Sequence, residues 1–263
     1  MVTEKYSTSF SRASTLFKPE IRQHIYNIYG FVRFADEIVD TFHDYDKAKL
    51  LDEFEKNYRD ALENGISLNP ILHSFCTTQR EKNIPQHLVD AFLHSMRMDL
   101  GDIKDLNDEK YNEYIYGSAE VVGLMCLKVF VDGNEEEYQK LKPYAQSLGA
   151  AFQKINFLRD ISADLGRTYF PNVNFRNFSQ QDKLEIEKDI AKDFEHSLIG
   201  IKMLPMSSRL AVFMAYKYYT NLFKKIKKCK PEILMHKRIS VSNARKVYLF
   251  GEMILFKNLN FVR

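Results

Sequence analysis

Apolar residues recur at helical spacing along almost the whole chain, and strict alternation is scarce. The pattern predicts helices near 19–42, 47–63, 70–81, 85–99, 108–130, 135–166, 180–200, 205–229 and 240–258. Pro19, Pro70, Pro85 and Pro205 stand where these helices would begin, the position that tolerates a missing N–H. The stretch from Tyr169 to Arg176 is the clearest non-helical segment. No GxGxxG follows a strand pattern, and no Pro/Gly/Ser-rich linker or fixed-period repeat breaks the chain. One all-α domain spanning residues 1–263 is expected.

Two predicted helices are apolar on more than one face. The first carries Ile25, Ile28, Val32 and Ile38; the second carries Leu148, Ala151, Phe152, Ile155 and Leu158. Helices of this kind are buried. Yet each also bears a polar stripe, in Tyr29-Gly-Phe-Val-Arg33-Phe-Ala-Asp36-Glu37-Ile-Val-Asp40 and in Gln153-Lys-Ile-Asn156-Phe-Leu-Arg159-Asp160-Ile-Ser-Ala-Asp164. At 3.6 residues per turn, Arg33, Asp36 and Asp40 share one face, as do Gln153, Asn156, Asp160 and Asp164. Like charges four apart repel by about 0.2–0.5 kcal/mol even in water. Two such pairs on buried helices imply that the stripes line a cavity.

Two readings of these stripes follow from spacing. Carboxylate and amide oxygens are hard ligands for Mg2+, and arginine offers a bidentate fork to phosphate oxygens, so the clusters would hold a diphosphate through divalent ions. Alternatively the arginines and aspartates form salt bridges between helices. Spacing alone is weak: Asp189 and Asp193 repeat the DxxxD pattern beside Glu185, Glu187, Lys188 and Lys192 and read as a solvated face. The run Asp99, Asp102, Asp105, Asp108 reads as a helix end and loop.

Composition narrows the picture. The 38 basic and 35 acidic residues leave a net charge of +3, too balanced to argue for nucleic acid. Cys76, Cys126 and Cys229 are far apart with no zinc spacing, as in reduced proteins. No apolar h-region opens the chain and no uninterrupted apolar run is long enough to span a bilayer, so a cytoplasmic protein is expected. Its 20 Phe and 15 Tyr place aromatic rings (Phe31, Tyr114, Tyr116, Phe152, Phe157, Tyr216, Tyr219) on the presumed cavity helices. Most would be core, although a cavity handling carbocations would use such faces. The small residues from Gly117 to Gly123 would admit close approach by a ligand or by a neighbouring helix. The basic stretch Lys224–Lys230 reads as a solvated helix end, or as a contact with anionic lipid.

Several ordered motifs together resemble a known family. Thr8-Ser-Phe-Ser11, the stretch Ile28–Asp40, Tyr114-Ile-Tyr-Gly-Ser-Ala-Glu-Val-Val-Gly123, Ala151–Asp160 and Gly166-Arg-Thr-Tyr-Phe-Pro171 match the squalene/phytoene synthases, the head-to-head prenyl synthases, with bacterial phytoene synthases the nearest pattern. The resemblance covers nearly the whole chain. It implies an isoprenoid synthase helical bundle with a central cavity and two bound prenyl diphosphates. Several Mg2+ ions would be held by Asp36, Asp40, Asn156, Asp160 and Asp164. It also implies diphosphate binding by Arg33, Arg159, Tyr29, Gln153, Arg167 and Arg238, closed over by Tyr6, Ser7, Thr8 and Ser9. Tyr114 and Tyr219 would border the reacting carbons or the diphosphate. The Asp164–Arg167 spacing is shorter than the family pattern.

By resemblance the reaction is the Mg2+-dependent condensation of two geranylgeranyl diphosphates to phytoene through a cyclopropylcarbinyl diphosphate, a step of carotenoid biosynthesis. NADPH is not expected. The alternatives are a farnesyl diphosphate-using dehydrosqualene or squalene synthase, and a non-catalytic scaffold of the same family serving assembly. The segment ending Phe261-Val-Arg263 carries no apolar anchor, which suits the phytoene branch. A monomer or weak oligomer, with peripheral membrane contact for product release, completes the expectation.

Overall fold

In the computed structural model, residues 14–101, 107–162, 170–171, 173 and 177–242 are described. Among them no strand occurs. The helices are α1 (Pro19–Asp40), α2 (Lys47–Asn64), α3 (Pro70–Glu81), α4 (Gln86–Leu100) and α5 (Asp108–Ile115). A π-helical turn over Tyr116–Glu120 joins α5 to α6 (Val121–Phe130). Then come α7 (Glu135–Asp160), α8 (Gln180–Met203), α9 (Met206–Lys227) and the short α10 (Pro231–His236).

The boundaries have local causes. Pro19 and Pro70 occupy the first helical turn, and Pro85 and Pro205 take the N-cap position. Side chains cap the next starts: Asp46 accepts from the Lys49 amide, Asn107 from Lys110 and Asn134 from Glu137. Ser179 and Asp182 close a reciprocal capping box at the head of α8. The predicted rod over 108–130 is continuous but contains the π turn, a wider turn that periodicity does not announce. The α10 helix was not anticipated. Of the helix expected over 240–258, residues 240–242 are irregular and the remainder lies outside the described residues.

Two apolar clusters form the interior. In the first, Phe31 of α1 stacks on Phe75 of α3 at 3.9 Å, with Tyr58, Phe54 and Phe92 around it. Phe31 is therefore a core ring rather than a cavity ring. The second gathers Ala151, Ile155 and Leu158 of α7 with Ile190 of α8 and Leu222 and Ile226 of α9.

Helices α7 and α8 pack closely. A Cβ on Gly200 would collide with the Cβ of Tyr144, so glycine sets the distance between these helices. Gly200→Ala is expected to lower stability by about 1–3 kcal/mol, read from the urea midpoint.

The same interface leaves Asp189 exposed, as expected of a solvated face, and corrects that reading for Asp193. Lys154, whose side chain is 10% exposed, reaches Asp189 at 2.5 Å and Asp193 at 2.7 Å. Nearby, Lys183 and Glu187 form a buried pair. The two acids repel less than they attract the lysine, so they anchor α8 to the helix carrying the second acidic stripe. Asp99 is also more than a helix end: it is buried and accepts a hydrogen bond from the Tyr114 hydroxyl at 2.7 Å.

Candidate active site

Between the two clusters lies an apolar cavity of about 440 Å³. One wall comes from α1 through Ile25, Tyr29 and Val32, another from the π turn and α6 through Ser118, Ala119 and Val122. Leu148, Phe152 and Asn156 of α7 face it across, with Ile201 of α8 and Ala215 and Tyr219 of α9. The small-residue stretch thus admits a neighbouring helix and also borders the cavity. A Cβ on Gly149 would lie 2.8 Å from the Ala119 carbonyl, so α7 packs on that segment, while Ser118 and Ala119 face the cavity.

The acidic stripes continue from the wall residues. Asp36 lies one turn beyond Val32 on α1, and Asp160 one turn beyond Asn156 on α7. Both stripes therefore crown the same cavity, each from its own helix C-terminus. Helix ends of this polarity disfavour anions. The placement costs stability and calls for cations.

On α1, Arg33 bonds Asp36 at 2.5 Å and also pairs with Glu37. Burial opposes the Arg33 charge, but Asp36 and Glu37 more than offset it and raise its pKa. Burial pushes the Asp36 carboxyl up to about 6, and the neighbouring Asp40 charge adds to the shift against the pull of Arg33. Asp40 itself is exposed at the rim.

On α7, Arg159 holds Asp160 through Nε at 3.0 Å and Nη2 at 2.5 Å. Arg238, far along the chain, reaches the same carboxylate at 2.7 Å. Asn156 donates to Gln153 at 3.4 Å and accepts from the Tyr219 hydroxyl at 3.3 Å. Tyr219 in turn stacks on Phe152 at 3.9 Å, both rings lining the cavity just below the acids.

The salt-bridge reading of the stripes is met in part. Arg33 pairs with Asp36 and Arg159 with Asp160 along their own helices, while Arg238 joins a separate segment to Asp160. The arrangement fits divalent ions: Asp36 is short of positive charge despite Arg33, and Asp160 and Asn156 present hard oxygens on their own helix face. Among the described residues no cluster of three or more His, Cys, Asp or Glu side chains forms a ready metal cage.

Tyr29, Asn156 and Tyr219 thus line the cavity, and Arg33, Asp36, Asp40, Gln153, Arg159, Asp160 and Arg238 sit at its acidic end. Tyr114 does not line it; its ring packs at 6.0 Å from Phe157 and its hydroxyl serves Asp99. Tyr6, Ser7, Thr8, Ser9, Asp164 and Arg167 lie outside the described residues. Glu37, which the sequence places in the first stripe without a role in the site, is a second partner for Arg33. The deep apolar lining escaped the sequence reading, since its residues carry no signal beyond that of ordinary core.

The described residues thus form an all-α bundle whose apolar cavity is crowned by two Asp/Arg helix faces. The chain belongs to the squalene/phytoene synthase family, matching it over residues 3–245. Members of this family are prenyltransferases that form head-to-head condensation products. The chain is 26% identical to phytoene synthase 1, chloroplastic, of Solanum lycopersicum over 245 residues, spanning 86% of this chain and 59% of the tomato protein. It is 23% identical to 4,4'-diapophytoene synthase of Staphylococcus haemolyticus over 280 residues, 94% of this chain and 92% of that one. The 15-cis-phytoene synthase of a Paracoccus strain is 25% identical over 274 residues, 93% and 86% respectively. The fold superposes on the crystal structure of a dehydrosqualene synthase with a TM-score of 0.81 at 22% identity, covering 98% of this chain and 94% of that one.

Proposed function

We propose that the chain, working as one domain over residues 1–263, condenses two geranylgeranyl diphosphates head to head to phytoene. The observation that carries the reading is the pair of acidic helix faces at one end of one apolar cavity, with arginines already on them. Asp36, Asp40, Asn156, Asp160 and Asp164 would hold Mg2+, which when bound neutralises the departing diphosphate. Arg33, Arg159 and Arg238 would take the diphosphate oxygens, exchanging their carboxylate partners for phosphate. Tyr29, Gln153, Arg167 and the segment Tyr6–Ser9 complete the diphosphate site.

Departure of the first diphosphate leaves an allylic cation, attacked by the double bond of the second molecule with loss of a proton. The cyclopropylcarbinyl diphosphate so formed ionises in turn, rearranges, and loses a second proton to give the conjugated triene. Two diphosphates leave and no reductant is consumed. The exposed faces of the stacked Phe152 and Tyr219 lie where positive charge develops and offer it cation–π contact without a nucleophile. The apolar wall excludes water, which would otherwise trap the cation as an alcohol.

A second reading takes farnesyl diphosphate to a thirty-carbon product; similarity to the staphylococcal diapophytoene synthase along most of both chains favours it. Among the described residues no helix is long and apolar enough to cross a membrane. We place the enzyme in the cytoplasm with its product passing to a membrane, where the exposed lysines at the end of α9 would meet anionic lipid.

Incubation with each diphosphate, Mg2+ and no NADPH, followed by hydrocarbon analysis, tests the proposal. A forty-carbon triene from geranylgeranyl diphosphate is expected. No hydrocarbon from either substrate, with a cooperative thermal transition intact, would leave only the scaffold reading.

A further inference from the structure

The cavity has a readable depth, because three of its walls are helices in known register. Along α7, fifteen residues separate Asn156 at the acidic end from Leu141 at the floor, just over four turns or ~22 Å. The α6 wall runs antiparallel to it. Gly149 packs on Ala119 and, deeper, a Cβ on Gly123 would lie 3.2 Å from the Ala145 carbonyl. Ala145 is eleven residues from Asn156, about three turns down. Cys126 is nearly one turn deeper again, on the cavity face of α6. Below it the floor is closed by Phe130, stacked on Phe17 at 5.4 Å.

An extended isoprene unit, four chain carbons of about 5 Å, is close in length to one helical turn of ~5.4 Å. Three units counted from Asn156 end near Ala145, and a fourth fills the compartment bounded by Cys126, Leu141, Tyr144 and Phe130. That compartment is open because its α6 wall carries a thiol where Leu127 and Phe130 beside it are large. We infer that Cys126 is the residue that determines prenyl chain length, admitting the fourth isoprene unit of a geranylgeranyl chain. The inference rests on the prenyl diphosphate reading of the site and deepens it. It assigns the choice between twenty- and fifteen-carbon substrates to a position nearly five turns from Asp160.

Two substitutions with different depths test it. Cys126→Phe fills the fourth compartment, so the ratio of forty- to thirty-carbon product should fall roughly 100-fold, the order that an apolar pocket of the wrong length gives. Ala119→Leu narrows the cavity about two turns down and should lower both products together, leaving the ratio near that of the unchanged protein. A Cys126→Phe ratio within about twofold of the unchanged protein overturns the inference.

Binding gives an independent readout. Thermal unfolding is followed with the non-ionising thiolodiphosphates of geranylgeraniol and farnesol. In Cys126→Phe the geranylgeranyl-induced rise in Tm should vanish while the farnesyl-induced rise stays. Equal retention of both rises also overturns the inference. If the unchanged protein turns over neither substrate, the proposed reaction fails, and these binding shifts alone decide the role of Cys126.

Discussion

Asp36→Asn should reduce turnover by roughly three orders of magnitude, the scale lost when transition-state charge stabilisation is removed, and should leave the protein at least as stable as before. The two halves of this result have one cause. Burial and the Asp40 charge hold the Asp36 carboxyl up to about 6, so its ionised form is a cost to the fold that Arg33 only partly relieves. An amide of the same shape keeps the packing and escapes that cost. With the side chain 34% exposed, solvent screening leaves a gain on the order of 1 kcal/mol. A purely structural Arg33–Asp36 salt bridge predicts the reverse: lost stability and retained turnover. Paired measurements of kcat and Tm on Asp36→Asn separate the two. A variant that unfolds earlier yet still makes hydrocarbon would remove Asp36 from the metal set.

Lys154→Met should be the most destabilising single change at the α7–α8 interface, by about 3 kcal/mol. The lysine is the shared cation of Asp189 and Asp193, and its removal strands Asp193, which is 19% exposed, beside α7. Burial already raises the Asp193 pKa, with the Asp189 charge adding to it and Lys154 opposing. Glu120 stands near enough to feel both Asp193 and Lys154, so without the lysine three acids would remain with His196 as the opposing group beside Asp193. The double variant Lys154→Met with Asp193→Leu should recover most of the loss, since an apolar pair replaces an ion pair at similar volume. Asp189→Asn, at a position 56% exposed, should cost less than about 1 kcal/mol. Urea unfolding of the three proteins checks the order. Equal losses at Lys154 and Asp189 would mean that the triad carries no buried charge.

The helices were legible because their ends are chemically marked. Proline at Pro19 and Pro70, and the capping side chains Asp46, Asn134 and Ser179, leave little freedom in where a helix starts. The acidic end of the cavity was legible for a related reason: charges on otherwise apolar helices are conspicuous. What pattern could not supply is the partner across space. Asp193 reads as solvated because its sequence neighbours are charged, and Lys154, thirty-nine residues away, is what covers it. Phe31 and Phe152 have the same chemistry, yet one fills the core and the other faces the cavity, a distinction set by helix rotation. The cavity floor was silent for the same reason, since Leu141 and Phe130 read as core whether they touch a neighbour or a substrate tail.

The π turn at Tyr116–Glu120 works as a gear between two halves of one rod. It fixes the angular phase of α6 relative to α5, and so decides that Val122 and Cys126 face the cavity while Tyr114 faces Asp99. Loss or gain of one residue there would turn α6 by about 100°, one residue's share of a 3.6-residue turn. A different set of α6 side chains would then line the cavity, without a single substitution in the acidic stripes. The reach of the tunnel can drift in steps of one residue while the chemistry at its mouth stays fixed.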